Sequence, residues 1–146
     1  MSTFFTPGPA ALFPTVEAHY AEAFRQNIGS ISHRSAAFRK IYQHADEQLR
    51  VLFSLPKETA VLFTGSATEI WERAIMNTVE HESFHLVNGS FSKKFYDFSK
   101  ELHKFAHAMH KPFGEGFDAA EVEVPEYAEL ICCTANETSS GVQMKA

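Results

Sequence analysis

The sequence predicts an α/β fold with a mainly parallel sheet built from βαβ units. From residue 60 onward, short apolar runs alternate with helical patterns. Small and hydroxyl-bearing residues follow three of the apolar runs, as they do at the carboxyl edge of a parallel sheet, where ligands collect. At 146 residues, 45% of them hydrophobic, the chain has the usual size of one domain and can bury a core.

The N-terminal third is predicted to be helical. The first ten residues contain two prolines and a glycine and are expected to be irregular. A helix is predicted over residues 14–26, because Pro14 suits a first helical turn and a Gly-Ser pair follows. A second helix is predicted from Ser35 until Pro56 stops it, since apolar residues recur along one helical stripe.

Beyond residue 60, four strands and two helices are predicted. The strands are short apolar runs, and the helices carry apolar residues at helical spacing. Consecutive parallel strands need a crossover, which a helix of this length provides in the right-handed sense. The predicted strands are residues 60–63, 84–87, 105–109 and 130–133, and the predicted helices are residues 67–78 and 91–103.

A run of small residues, Gly65-Ser66-Ala67-Thr68, joins the first predicted strand to its helix. The N–H groups of a first helical turn have no partner within the helix, and the helix dipole is positive there. Small side chains let a phosphate approach these groups, so the junction is a candidate phosphate site. Similar turns occur in α/β proteins generally, so an ordinary turn is the alternative.

Two further strand ends carry residues of the same kind. One is the segment 88–91 (Asn-Gly-Ser-Phe), and the other is the segment 134–141, which is rich in Thr, Ser and Asn. Hydroxyl donors, an aromatic ring and the phosphate junction together describe a pocket for a phosphorylated aromatic cofactor. Each segment taken alone is equally an ordinary turn or helix cap.

Composition and charge argue against nucleic-acid and membrane partners. The net charge is −5 and no cluster of Lys and Arg overrides it, so a nucleic-acid surface is not expected. The chain has no apolar run of about 18 residues and no signal-peptide pattern, so a soluble, cytoplasmic protein is expected. Cys132 and Cys133 are adjacent, and a disulfide between them would be strained, so reduced thiols are expected.

Five short segments occur in order along nearly the whole chain. They are residues 5–10 (Phe-Thr-Pro-Gly-Pro-Ala), 31–35 (Ile-Ser-His-Arg-Ser), 65–68 (Gly-Ser-Ala-Thr), 88–91 (Asn-Gly-Ser-Phe) and 136–141 (Asn-Glu-Thr-Ser-Ser-Gly). In kind and order they resemble segments of the class V aminotransferases, pyridoxal-phosphate enzymes of fold type I, and above all those of the phosphoserine aminotransferase branch. The resemblance implies that the chain forms part of the large cofactor-binding domain of an aspartate-aminotransferase-like enzyme.

The resemblance assigns five residues to the cofactor pyridoxal 5'-phosphate (PLP). The backbone amides of Ser66, Ala67 and Thr68 would hold its phosphate, with side-chain hydroxyls assisting. Phe91 would stack on its pyridine ring, and Thr138 would donate a hydrogen bond to its phenolic oxygen. Without the resemblance, a place in the hydrophobic core is the alternative for Phe91.

The resemblance also assigns His33 and Arg34 to the phosphate of the substrate, since both side chains form charge-assisted hydrogen bonds to a dianion. A solvated pair in a loop is the alternative. The phosphate loop lacks the Arg that phosphoserine aminotransferases usually carry, so the amino donor, phosphoserine or a serine or alanine type, stays open beside a 2-oxo acid. Residues 1–34 would line the active site, and residues 35–146 would form an incomplete PLP-binding domain.

No catalytic residue is assigned. In the family, the lysine that forms the Schiff base lies downstream of the Asn-Glu-Thr segment, and Lys145 is too close to that segment to be this lysine. The chain is therefore expected to be the N-terminal portion of an enzyme that is a homodimer when complete, and to be inactive alone. The alternative is a non-catalytic α/β fragment that assembles only with the missing part.

His81, Glu82 and His85 match the zinc-hydrolase pattern H-E-x-x-H. That mechanism needs both imidazoles on one face of a helix. Residues 84–87 instead indicate a strand, which would separate the two histidines by roughly 13 Å at about 3.3 Å per residue. A zinc hydrolase is thus a remote alternative, and no metal site is predicted.

Overall fold

The computed structural model describes residues 11–144 of the chain. The chain divides into two compact units, Met1–Leu62 and Phe63–Ala146. The predicted opening segment, residues 5–10, and Lys145 lie outside the described residues.

The described residues of the first unit contain two α-helices, and both confirm the prediction. Helix α1 spans Val16–Arg25 and helix α2 spans Ala36–Phe53, with a turn of 3-10 helix at Ile28–Ser30 between them. Ser35 precedes α2, and its hydroxyl oxygen accepts the Phe38 amide proton at 3.1 Å. None of the helices described is long and apolar enough to cross a membrane.

The second unit contains a parallel sheet and a short hairpin. Its elements are α3 (Ala67–Thr78), β1 (Glu82–Val87), α4 (Ser90–Glu101), β2 (Phe105–His110), a 3-10 turn (Ala119–Glu121), β3 (Leu130–Cys132), β4 (Asn136–Glu137) and β5 (Val142–Gln143). The sheet order is β2-β1-β3, and both pairings are parallel, as predicted. Strands β4 and β5 pair in the antiparallel sense.

Residues 60–63 form no strand, so the first predicted strand is wrong. A strand exists through hydrogen bonds to a neighbour, and within the described part of the chain the parallel sheet consists of β1, β2 and β3. The Val61 carbonyl oxygen instead accepts a hydrogen bond from the Tyr42 hydroxyl at 2.8 Å. An apolar run identifies a segment that favours a strand, but it does not specify a pairing partner.

Strand β1 lies at the centre of the sheet and is buried on both faces. Ser83 and His85 are buried on the face toward α4, where the Ser83 and Ser99 hydroxyls hydrogen-bond at 2.7 Å. Phe84 is buried on the opposite face, where it packs with Phe117. Polar and apolar residues therefore alternate from Ser83 to Leu86, and each set lies on one face of the strand.

Helices α3 and α4 pack against each other through aromatic rings. Trp71 stacks on Phe95, with ring centroids 5.1 Å apart and planes 13° from parallel. Phe98 contacts Trp71 in an edge-to-face arrangement, with ring centroids 6.4 Å apart. These contacts fix α3 relative to α4 and therefore relative to the sheet.

His85 is enclosed between β1 and α4. Its Nε2 atom lies 2.9 Å from the Ser83 hydroxyl, and its buried Nδ1 atom has no hydrogen-bond partner among the described residues. Burial lowers the pKa of His85 to about 4, so the ring is neutral near neutral pH.

The neutral His85 makes the stability of the chain depend on pH. The pKa of His85 falls from 6.5 to about 4 on folding, so between these pH values the unfolded chain binds a proton that the folded chain does not. The free energy of unfolding is therefore undiminished above pH 6.5 and decreases as the pH falls toward 4. Between about pH 7 and about pH 5, the natural chain should lose about 2 kcal/mol more unfolding free energy than His85→Phe, measured by urea denaturation. Equal losses in the two proteins would contradict this.

Candidate functional site

The start of α3 is an open backbone site for an anion. Ser66 precedes the helix, and its hydroxyl oxygen accepts the Glu69 amide proton at 3.2 Å. Among the described residues, no group accepts the amide protons of Ala67 and Thr68. Residues 64–67 are exposed, so a phosphate can reach these amides at the positive end of the helix dipole.

Glu69 bounds this site on one side. Its carboxylate accepts the Gly65 amide proton at 3.1 Å and pairs with Arg73 at 3.2 Å. The hydrogen bond from Gly65, followed by that from Arg73, lowers the pKa of the Glu69 carboxyl. The Gly65 amide is therefore occupied, and the amides left for a phosphate belong to the helix itself.

The start of α4 is closed by a carboxylate of the chain itself. Glu137 is 0% exposed, and it accepts the amide protons of Ser92 at 2.8 Å and Phe91 at 3.3 Å. The hydroxyls of Ser92 and Ser139 donate to it at 2.8 Å and 2.6 Å. Burial raises the pKa of the Glu137 carboxyl, but these hydrogen bonds outweigh it, and the pKa lies below its ordinary value. The carboxylate is therefore charged and fully bound.

Gly89 makes room for this carboxylate. A Cβ atom at position 89 would lie 2.4 Å from Glu137 Cγ and 2.8 Å from Ser139 Oγ, closer than real atoms approach. The φ angle of Gly89 is −176°, which any residue adopts. Space, rather than backbone conformation, therefore requires glycine here.

Thr138 is exposed in the turn of the β4–β5 hairpin. The turn ends at Gly141, whose φ angle of +71° lies in the left-handed region that favours glycine. Ser139 connects the turn to α4, because its hydroxyl oxygen accepts the Ser90 amide proton at 2.8 Å. The position of Thr138 is thus linked to the first turn of α4.

The backbone at Phe91 and the backbone next to Thr138 are both bonded to Glu137, and both residues are exposed. The amides of Phe91 and Ser139 donate to the same oxygen, Glu137 Oε1, each at 3.3 Å. The Phe91 side chain is 44% exposed, so it lies outside the buried core. An exposed ring and an exposed hydroxyl, in segments that one carboxylate joins at the carboxyl edge of a parallel sheet, are suited to a planar ligand.

Stacked rings connect α3 to α4 one turn after the start of each helix. Trp71 follows Ala67 by one helical turn, and Phe95 follows Phe91 by one helical turn. Because the rings of Trp71 and Phe95 stack, each helix begins one turn from the same contact. The structure therefore groups the five predicted cofactor residues in the second unit, while their role stays a prediction.

His33 and Arg34 belong to the first unit. Both are exposed in the turn before α2, where the Arg34 amide donates to the Ser32 hydroxyl at 3.3 Å. Their assignment to a substrate stays a prediction. The division into an active-site segment, residues 1–34, and an incomplete PLP-binding domain, residues 35–146, also stays a prediction.

Sequence reasoning missed the roles of Glu137 and Gly89. Both lie in segments that carry the family resemblance, but as residue types they indicate only a turn or an exposed charge. A buried Glu is rare unless it is paired or hydrogen-bonded, and its donors lie 45 residues away at Ser92. The sequence contained no signal for that long-range pairing.

The H-E-x-x-H pattern does not form a metal site. His85 lies in strand β1, as predicted, and the strand also includes Glu82, while His81 is exposed before it. His85 Nε2 is bonded to Ser83 inside the unit. Within residues 11–144, no group of three or more His, Cys, Asp or Glu side chains has an arrangement that could hold a metal ion.

Gly89→Ala should unfold the second unit more easily. The added methyl group meets a fully buried side chain, and overpacking of this kind costs about 3 kcal/mol. The matched control is Gly116→Ala, where the new Cβ would meet only Val142 Cγ1 at 3.4 Å and the expected change is within about 1 kcal/mol. Urea denaturation of the two variants measures this, and equal stabilities would contradict the steric argument.

Known proteins resemble this chain in both sequence and structure. No protein-family model matches it. A phosphoserine aminotransferase from Corynebacterium glutamicum is 32% identical over 141 residues, which are 96% of this chain and 37% of that protein. The structure of a phosphoserine aminotransferase from Cytophaga hutchinsonii matches with a TM-score of 0.93 and 54% identity, over 97% of this chain and 39% of that one.

A PLP-bound phosphoserine aminotransferase from Trichomonas vaginalis matches with a TM-score of 0.81 and 26% identity, over 95% of this chain and 45% of that one. The chain thus spans less than half the length of these relatives. Sequence and fold agree over almost all of its residues. The chain matches the N-terminal part of the phosphoserine aminotransferases, which are class V aminotransferases.

Proposed function

We propose that this chain supplies the phosphate and ring contacts of a PLP site in an aminotransferase, which transfers an amino group between an amino acid and a 2-oxo acid. The observation that carries the proposal is the open α3 start, in the same unit as an exposed aromatic ring and an exposed hydroxyl. The relatives with phosphoserine aminotransferase names support it.

The residues present fit this cofactor. The amides of Ala67 and Thr68 would hold the phosphate, and Ser66 would add its hydroxyl. Phe91 would cover one face of the pyridine ring, and Thr138 would donate to the phenolic oxygen. When bound, PLP supplies an electron sink for the carbanion that forms at the amino acid's α-carbon. The chain's own residues bind and orient that group.

For the substrate, we propose that His33 and Arg34 bind the phosphate of a phosphorylated amino acid. Both side chains are exposed, and Arg34 supplies a planar set of donors that matches an oxyanion. Phosphoserine and serine or alanine remain the two classes of amino donor. A binding assay with O-phosphoserine and with serine separates them, since only the phosphorylated donor should lose affinity in Arg34→Gln.

For assembly, we propose a homodimer of the complete enzyme in the cytoplasm. Large apolar side chains of the first unit, such as Phe24 at 81% exposed and Val51 at 78% exposed, support a role in packing against further protein. Analytical ultracentrifugation tests this, and a monomer at all concentrations of the complete enzyme would contradict it.

Ala67→Asp should weaken the binding of pyridoxamine 5'-phosphate by about tenfold or more, because the new carboxylate opposes the phosphate. This probe carries no aldehyde and does not condense with surface lysines. An Asp in a first helical turn favours the helix, so the variant should remain folded. Quenching of Trp71, the single Trp, measures the affinity.

The matched control for this test is Ala36→Asp. Ala36 also follows a capping serine at a helix start and is also exposed, but it lies in α2. This control should bind the probe as the natural chain does. Unchanged binding in Ala67→Asp, or an equal loss in both variants, would show that the α3 start does not hold the phosphate.

A further inference from the structure

We propose that Glu137 is a positioning residue, which sets the distance between the ring-stacking Phe91 and the hydroxyl of Thr138. This inference rests on the proposed function, since it concerns the same site. Glu137 has no exposed surface and therefore touches no ligand itself. Its role would be exerted through the two backbone segments that it joins.

The carboxylate joins these segments directly. On one side it accepts the amide protons of Phe91 and Ser92 in the first turn of α4. On the other side it belongs to β4 and accepts both the amide and the hydroxyl proton of Ser139 in the hairpin turn. Phe91 is itself bonded to the carboxylate, and Thr138 lies between Glu137 and Ser139.

The link is tightly confined. The Glu137 side chain occupies the space that a Cβ atom at position 89 would take, so it packs directly against the Gly89 backbone. Ser139 adds a second bridge, because its hydroxyl oxygen accepts the Ser90 amide proton while its proton goes to Glu137. The hairpin and the helix start are therefore held as one body, which is what a preorganised ring site requires.

The position of the charge argues for the same role. A carboxylate at a helix N-terminus already satisfies the amides that attract anions. The Phe91 and Ser92 amides are therefore not available to a phosphate, whereas the Phe91 ring is exposed and can contact a ligand. The phosphate and the ring then have separate supports, α3 and α4.

The test compares pyridoxamine 5'-phosphate with inorganic phosphate as probes of the complete 146-residue chain. If Glu137 positions only the ring contacts, Glu137→Gln should bind pyridoxamine 5'-phosphate about tenfold more weakly and inorganic phosphate equally well. Affinity for the ring probe divided by affinity for phosphate is therefore the measured quantity. A loss of folded structure would be distinguished by a lower affinity for inorganic phosphate as well as for pyridoxamine 5'-phosphate.

A second variant covers the case in which Glu137→Gln does not fold. Ser139→Ala keeps the carboxylate but removes one bridge, and it should lower the affinity ratio about threefold. The matched control is Ser140→Ala, because Ser140 lies in the same turn and its hydroxyl donates only to the Glu137 backbone carbonyl, at 3.4 Å. The control should keep the natural ratio.

The outcomes separate the two proposals. A ratio lowered in Ser139→Ala and in folded Glu137→Gln, but kept in Ser140→Ala, supports the positioning role. A natural chain that prefers the ring probe, with variants that keep this preference, overturns the positioning role and leaves the proposed function intact. A natural chain with no preference for the ring probe overturns the proposed function and the positioning role together.

Discussion

The binding of the Glu137 carboxylate to the first turn of α4 is the interaction on which the candidate site depends. Burial of the carboxylate charge costs free energy, and hydrogen bonds from two segments offset that cost. Gly89 is needed for the same reason, because the side chain occupies the space of its missing Cβ. One long-range interaction thus fixes a helix start, a glycine and a hairpin turn together.

A second carboxylate serves the chain in a similar way. Glu129 Oε2 accepts the amide protons of Glu80 at 2.6 Å and His81 at 2.9 Å, just before β1. Two sets of backbone donors are therefore neutralised by the protein itself, whereas the Ala67 and Thr68 amides find no acceptor among the described residues. Within the second unit, the α3 start differs from these two places in being open, and this contrast favours it over them as the phosphate site.

The sequence predicted the parts of the structure that depend on local pattern. Residues 84–87 favour a strand and lie in β1, and Ser35 identified the start of α2 because it caps that helix. The sequence failed where distant partners decide the outcome: residues 60–63 are apolar but form no strand, and the α4 partners of Glu137 lie 45 and 46 residues away. The family resemblance grouped the site segments, but it assigned no role to this carboxylate.

Phosphate is expected to bind at the start of α3 and not at the start of α4. Amide chemical shifts of the chain, followed during a titration with inorganic phosphate, distinguish the two sites. Saturable shifts are expected for the Ala67 and Thr68 amides, with the Phe91 and Ser92 amides unchanged because Glu137 holds them. Shifts concentrated at Phe91 and Ser92, or no shift at Ala67 and Thr68, would contradict this expectation.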